Sequence, residues 1–172
     1  MRTPRSIWLL ALIVFLLDQL SKSVVLEHLK PRGSIEMPGG FWALTYSENT
    51  GGAFSFLRGH NWVFIVFGTI ILGVLIKLAQ DAPRVPTSQN AAMALLIGGA
   101  VGNLLDRVRH SFVVDFLDFK VWPIFNIADS AICVGIGLLL IASFQAEDTP
   151  PEESPASVDS ATEMEQEQQP TA

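Results

Sequence analysis

The chain has 172 residues, of which 49% are hydrophobic, and a mean hydropathy of +0.39; that is too apolar for an ordinary water-soluble domain. Its formal charge of −6 belongs to one end: residues 145–172 hold eight acidic residues and no Lys or Arg, which leaves 11 basic against 9 acidic residues elsewhere. The low pI therefore says nothing about partners of the body, and no basic stripe supports a nucleic-acid ligand.

Arg2 and Arg5 precede an apolar run in the manner of a signal peptide, but no small-x-small cleavage pattern follows. The run continues through Asp18 and Lys22, so Ile7–Leu29 reads as a retained first span. Three more apolar stretches follow at Trp62–Leu78, Ala91–Leu105 and Ile124–Phe144. A membrane-crossing helix needs roughly 17–25 residues. The third stretch falls short unless its polar end lies among the headgroups. The expectation is an all-α membrane protein with spans at about 7–29, 62–80, 91–107 and 123–144, forming one domain over 1–144. Residues 145–172 have too little apolar content to fold and read as a disordered acidic tail.

The loop over 30–61 has its own character. Gly33–Met37 and Phe41–Tyr46 flank Pro38-Gly39-Gly40, which predicts a hairpin. Asn49-Thr50-Gly51-Gly52 is a glycine-rich turn leading into the apolar patch Ala53–Leu57, which suits a membrane interface. Exposed amides of Asn49, Gly51 and Gly52, with the Asn49 side chain, would serve to clamp an extended peptide; an ordinary turn is the alternative. Phe112–Phe119, between spans three and four, reads as extended. Trp62 and Trp122 stand at span ends, where amphipathic rings prefer to sit. Cys133 is the only cysteine, which rules out an intramolecular disulfide; within span four it reads as a small packing residue. No internal repeat is visible. Counting Lys and Arg fails to orient the chain, since cytoplasmic termini would place more of them outside than in.

The chemistry gathers around ionisable residues in or beside the spans, where a charge is costly and points to function. Asp115 lies in Val113-Val114-Asp115-Phe116, and Asp129 closes Phe125-Asn126-Ile127-Ala128-Asp129. Two convergent carboxylates are the minimum equipment for shared-proton hydrolysis. Asn126-x-x-Asp129 also resembles a helix cap, but the apolar run continuing to Phe144 places Asp129 a turn inside a helix, where capping explains less. In span three, Gly98-x-x-x-Gly102 permits close helix approach. Asn103, Asp106 and Arg107 crowd one helix sector, either to orient a substrate or as a structural Asp–Arg pair. Asp18 and Lys22, four apart, neutralise each other and read as structural. His28, His60 and His110 lack metal-ligand spacing, and no phosphate-binding loop or nucleophile elbow appears; no metal or cofactor is expected.

Together these blocks resemble the bacterial lipoprotein signal peptidase (signal peptidase II) family. The resemblance rests on Asp18-Gln19 with Lys22, on Asn49 to Phe54, on Gly98 to Arg107, on Val113 to Phe116 and on Phe125 to Ser130. It implies four transmembrane helices with cytoplasmic termini, a small extracytoplasmic β-cradle and an interfacial helix, which Gly33–Tyr46 and Ala53–Leu57 would supply in part. It implies cleavage of diacylglyceryl-modified prolipoproteins just before the lipidated cysteine, in the bacterial cytoplasmic (inner) membrane, by a monomer open to globomycin-type cyclic peptide inhibitors. The positions matching the catalytic aspartates are Asp115 and Asp129. Those matching supporting residues are Asp18, Lys22, Asn49, Gly52, Asn103, Asp106, Arg107 and Asn126. Ser111 stands where the family commonly has Gly, and the acidic tail lies outside the shared pattern. Two rival readings remain: a proton-coupled transporter, against which the missing repeat and short spans count, and a non-catalytic subunit whose polar residues glue helices together.

Overall fold

The computed structural model describes residues 5–51, 59–81 and 87–147. Gly52, the interfacial patch Ala53–Leu57 and residues 148–172 lie outside them. Four helices carry the spans: α1 (Arg5–Val24), α2 (Asn61–Asp81), α3 (Thr87–His110) and α4 (Ile127–Glu147). All four contain stretches long and apolar enough to cross a membrane. A π-helical turn, Val25–Leu29, extends α1 to the end foreseen for span one. Residues through Ala142 form one compact unit, and a second begins at Ser143.

Burial explains why these helices suit lipid. On α1 the buried residues are Ile7, Ala11, Val14, Asp18 and Lys22, a stripe at three- and four-residue steps. Leu9 and Leu20, on its other faces, are 61% and 63% exposed. An apolar outer surface of this kind is a liability in water and is what hydrocarbon requires. The protein is a multi-pass membrane protein with a small sheet. Cys133 belongs to the outward surface and is exposed, which corrects its reading as a packing residue.

Two spans differ from their apolar runs. Helix α3 extends beyond Ala91–Leu105 at both ends, and its polar C-terminal turn stays helical because the side chains there find tertiary partners described below. Helix α4 begins at Ile127 rather than near Pro123, because Phe125 is extended and pairs antiparallel with Leu117. Hydropathy alone does not separate an apolar strand residue from an apolar helix residue.

Glycines let α3 occupy the middle of the bundle. A Cβ on Gly98 would lie 2.6 Å from the Ala11 carbonyl oxygen on α1, and one on Gly99 2.6 Å from the Ala128 carbonyl oxygen on α4. One on Gly102 would collide with Asp18 Oδ2. The foreseen small-residue packing therefore serves two neighbours of α3, with Gly98 and Gly102 facing α1 and Gly99 facing α4.

The hairpin forms as expected and gains a third strand. Strands β1 (Ser34–Glu36), β2 (Ala43–Asn49) and β3 (Val113–Asp118) pair antiparallel in that order. The connection between β1 and β2 turns at Gly39 and Gly40, both with positive φ. Between β2 and β3 the register slips: Leu44 faces Leu117 but Ser47 faces Asp115, so β2 holds one extra residue. A one-residue insertion flips every later side chain to the other face. It is this bulge that puts Asn49 on the face of Asp115. Ser111, leaving α3, has φ 66 and donates its N–H to the Arg107 carbonyl at 3.1 Å, the left-handed helix end that favours glycine.

The glycine contacts generate a paired test. Gly99→Ala should destabilise the protein by about 1–3 kcal/mol, because backbone must move. Gly137→Ala on α4, whose Cβ meets nothing within 4 Å, should be neutral or stabilise by up to about 1 kcal/mol. Thermal unfolding in detergent measures both; equal midpoints for the two variants would refute this account of α3.

Candidate active site

The polar interior is organised on one ammonium. Lys22 Nζ lies 2.8 Å from Asp18 Oδ2 and 3.0 Å from Asp106 Oδ2, and donates to Asn103 Oδ1 at 2.9 Å. All three charged residues are at most 2% exposed. Charges this deep persist only when paired and hydrogen-bonded, and here the remaining lone pairs are used. Asp18 Oδ1 accepts the Ala128 N–H at 3.0 Å, satisfying one of the orphan donors at the start of α4. Asp106 Oδ2 accepts the Val114 N–H at 3.1 Å and so fixes the start of β3. Gln19 Nε2 reaches Asp18 Oδ2 at 3.2 Å, the Gly102 carbonyl at 3.3 Å and Asp106 Oδ1 at 3.1 Å.

On this base stand Asp115 and Asp129. Asp115 is 1% exposed. It accepts from Asn49 Nδ2 at 2.9 Å on one oxygen and from Asn126 Nδ2 at 2.7 Å on the other. Asp129 accepts from Asn103 Nδ2 at 2.7 Å and from the Asn126 N–H at 3.3 Å, while its own N–H donates to Asn126 Oδ1 at 2.9 Å. The last two bonds make a reciprocal capping box on α4. Capping, the weaker explanation on sequence alone, is therefore one of the things Asp129 does. Asp129 sits in the first turn, caps α4, and still presents Oδ1 to Asn103. Asn126 also donates to Asn103 Oδ1 at 3.2 Å, closing the ring. Burial is the largest cause that pushes the Asp115 carboxyl from its ordinary 3.8 up to about 7. The charge of Asp129 adds to the shift, and the Asn49 and Asn126 bonds and Lys22 oppose it.

Other foreseen roles change. Arg107 does not pair with Asp106; its guanidinium lies 3.9 Å from the centre of the Phe64 ring and donates to Asn61 Oδ1 at 3.4 Å. Asn61 Nδ2 donates back to the Arg107 carbonyl at 2.9 Å, tying α2 to the end of α3. The Gly51 N–H is taken by Asn49 Oδ1 at 3.2 Å, so this amide is not free to clamp a peptide. Among the described residues no cluster of His, Cys, Asp and Glu has the arrangement of a metal site. An apolar cleft of about 530 Å³ runs along α2, α3 and α4, with Phe64, Ile71, Ala100 and Ile132 among its walls and Asn103 and Arg107 at its polar end.

This arrangement can be set beside known proteins. Residues 10–145 match the family model described as signal peptidase (SPase) II. The chain belongs to the signal peptidase II family. A lipoprotein signal peptidase of Halothermothrix orenii is 40% identical over 82% of this chain and 97% of its own length. That of Actinobacillus succinogenes is 44% identical over 81% and 89%. Among solved structures, a bacterial membrane enzyme determined in meso at 2.3 Å superposes with a TM-score of 0.81 at 31% identity, covering 89% of this chain and 96% of that one. Another, at 1.9 Å, gives 0.76 at 33% identity, covering 86% and 97%.

Of the residues singled out in this signal peptidase II sequence, the structure brings Asp18, Lys22, Asn49, Asn103, Asp106, Asp115, Asn126 and Asp129 into one hydrogen-bonded network. Arg107 borders it and Gly52 lies outside the described residues. Sequence reading quoted Gln19 beside Asp18 without giving it a role, and passed over Asn61. A carboxamide next to an intramembrane carboxylate was the available signal for the first; nothing marked the second.

Lys22→Met should cost about 3–5 kcal/mol by leaving two buried carboxylates without their cation, against about 1–3 kcal/mol for Gln19→Ala. Unfolding in detergent ranks them, and a milder loss for Lys22→Met would contradict the hub. Because Asp115 holds its proton more tightly folded than unfolded, stability should fall as pH rises from about 4 to about 7 and then level off. Asp115→Asn should lack that component. Superimposable pH profiles for the two proteins would show that Asp115 does not titrate as described.

Proposed function

We propose that the protein is an aspartic endopeptidase that removes signal peptides from diacylglyceryl-modified prolipoproteins, hydrolysing the bond before the lipidated cysteine. Membership of the signal peptidase II family supports the substrate class. The observation that carries the mechanism is the double use of Asn126, which donates to Asp115 and caps with Asp129, holding both carboxyls on one residue. With the Asp115 carboxyl pushed up to about 7, the pair retains a proton well above the ordinary carboxylate range, up to about pH 7.

The ionised carboxylate takes a proton from water as the water oxygen bonds to the scissile carbonyl carbon. The protonated partner hydrogen-bonds the developing oxyanion. Collapse of the tetrahedral intermediate breaks the C–N bond, and a carboxyl proton passes to the leaving amine. Asn49, Asn103 and Asn126 orient the carboxyls, and Lys22 with Asp18 and Asp106 supports them from beneath. Peptidase residues 1–144 are read with cytoplasmic termini in the bacterial inner membrane, the site near the extracytoplasmic face, and residues 145–172 as an appendage. The enzyme acts as a monomer, and a globomycin-type cyclic peptide competes at the site.

Asp115→Asn and Asp129→Asn should each lower cleavage of a purified diacylglyceryl-prolipoprotein by at least roughly 10²-fold while the protein stays folded. Near-normal cleavage by either variant would remove that carboxylate from the mechanism. No cleavage by well-folded wild type would favour a transporter instead.

A further inference from the structure

The far end of the sheet carries apolar side chains that neither the fold nor the proposed chemistry uses. Val121 is 92% exposed, Trp122 67% and Phe41 65%. They are not scattered. The β1–β2 turn and the segment after β3 meet at this end, where Ala43 pairs with Asp118. Ring stacking links them: Trp42 lies 6.3 Å from Phe119, and Phe119 lies 5.8 Å from Phe125, with near-parallel planes. Phe125 is two residues before Ile127, where the fourth candidate membrane span begins. The ladder thus starts at the boundary of a span and reaches the exposed tip in two ring spacings.

The turn itself is shaped to push this tip outward. Lys120 has φ 63, and the Val121 N–H bonds the Phe119 carbonyl at 2.7 Å. The Lys120 ammonium is drawn back toward the sheet by Glu36 at 3.6 Å and Asp118 at 3.7 Å. The cation is therefore balanced, and the protruding side chains are a valine and two aromatics. Aromatic rings favour the headgroup level of a bilayer, where one edge is apolar and the other wet.

We propose that Phe41, Val121 and Trp122 form a second membrane anchor, inserted at the boundary of headgroups and acyl chains, which steadies the sheet bearing Asp115 and Asn49. The occupant is lipid because Trp122 stands five residues before Ile127, where the fourth candidate span begins, and the Phe125–Phe119–Trp42 ladder ties the tip to that boundary.

The test uses the full chain in phospholipid vesicles with Cys133, its only cysteine, changed to Ala. A nitroxide is placed at Val121→Cys and, separately, at Val134→Cys on the exposed face of α4 and Arg32→Cys in the loop after span one. Collision with oxygen relative to a water-soluble nickel chelate reports depth. The Val121 label should show a ratio several-fold above that at Arg32 and shifted toward that at Val134. A ratio equal to that at Arg32 would overturn the anchor and leave the patch for a protein partner. Should Val121→Cys fail to fold, Phe41→Cys carries the same expectation and the same refutation.

Discussion

Much of the molecule depends on where Lys22 puts its charge. An ammonium this deep in a helix bundle is held there only by acceptors, and its acceptors come from two helices. Those acceptors are themselves structural: Asp18 takes the Ala128 N–H at the start of α4, and Asp106 takes the Val114 N–H of β3. One cation therefore sets the mutual positions of α1, α3, α4 and the strand bearing Asp115. Removing it would leave two anions where water does not reach, a larger penalty than losing one hydrogen bond. The glycines of α3 belong to the same arrangement, since a Cβ at Gly102 would displace Asp18 from that cation.

Asparagine does a related job one layer further out. Asn103 and Asn126 each use their carboxamide both to give and to accept, which lets a neutral side chain connect carboxylates to one another and to Lys22. Aspartate in those places would add charge, and an apolar residue would leave buried oxygens unsatisfied. The arrangement therefore keeps the number of ionised groups small while fixing two carboxyls close together.

Most of the architecture was legible in the sequence because lipid imposes few options. Apolar length marked the four spans, and Pro38-Gly39-Gly40 marked the hairpin turn. Carboxylates in or beside a membrane span are rare enough that Asp115 and Asp129 drew attention at once. Other features left no mark. The β2 bulge depends on how two strands meet, and neither strand announces it. The start of α4 was misplaced because Ile124 and Phe125 are apolar in either conformation. For Arg107 the sequence offered a substrate-orienting role or a pair with Asp106 along the helix, whereas its partners come from α2, some forty residues away in sequence but adjacent in space. Ser111 shows the reverse case, in which a left-handed turn survives without the glycine that would ease it.

The capping box on α4 has a consequence for biogenesis. Asp129 and Asn126 arrive with the fourth span, and their bonds to Asn103 on α3 and Asp115 on β3 run to residues made earlier. Until α4 docks, Asp115 lacks Asn126, and Ala128 lacks its Asp18 acceptor. A nascent chain arrested after three spans consequently lacks these bonds, and docking of the fourth helix is the step that completes them. The order of synthesis alone thus leaves the surroundings of Asp115 and Asp129 incomplete while the protein is still being threaded into the bilayer.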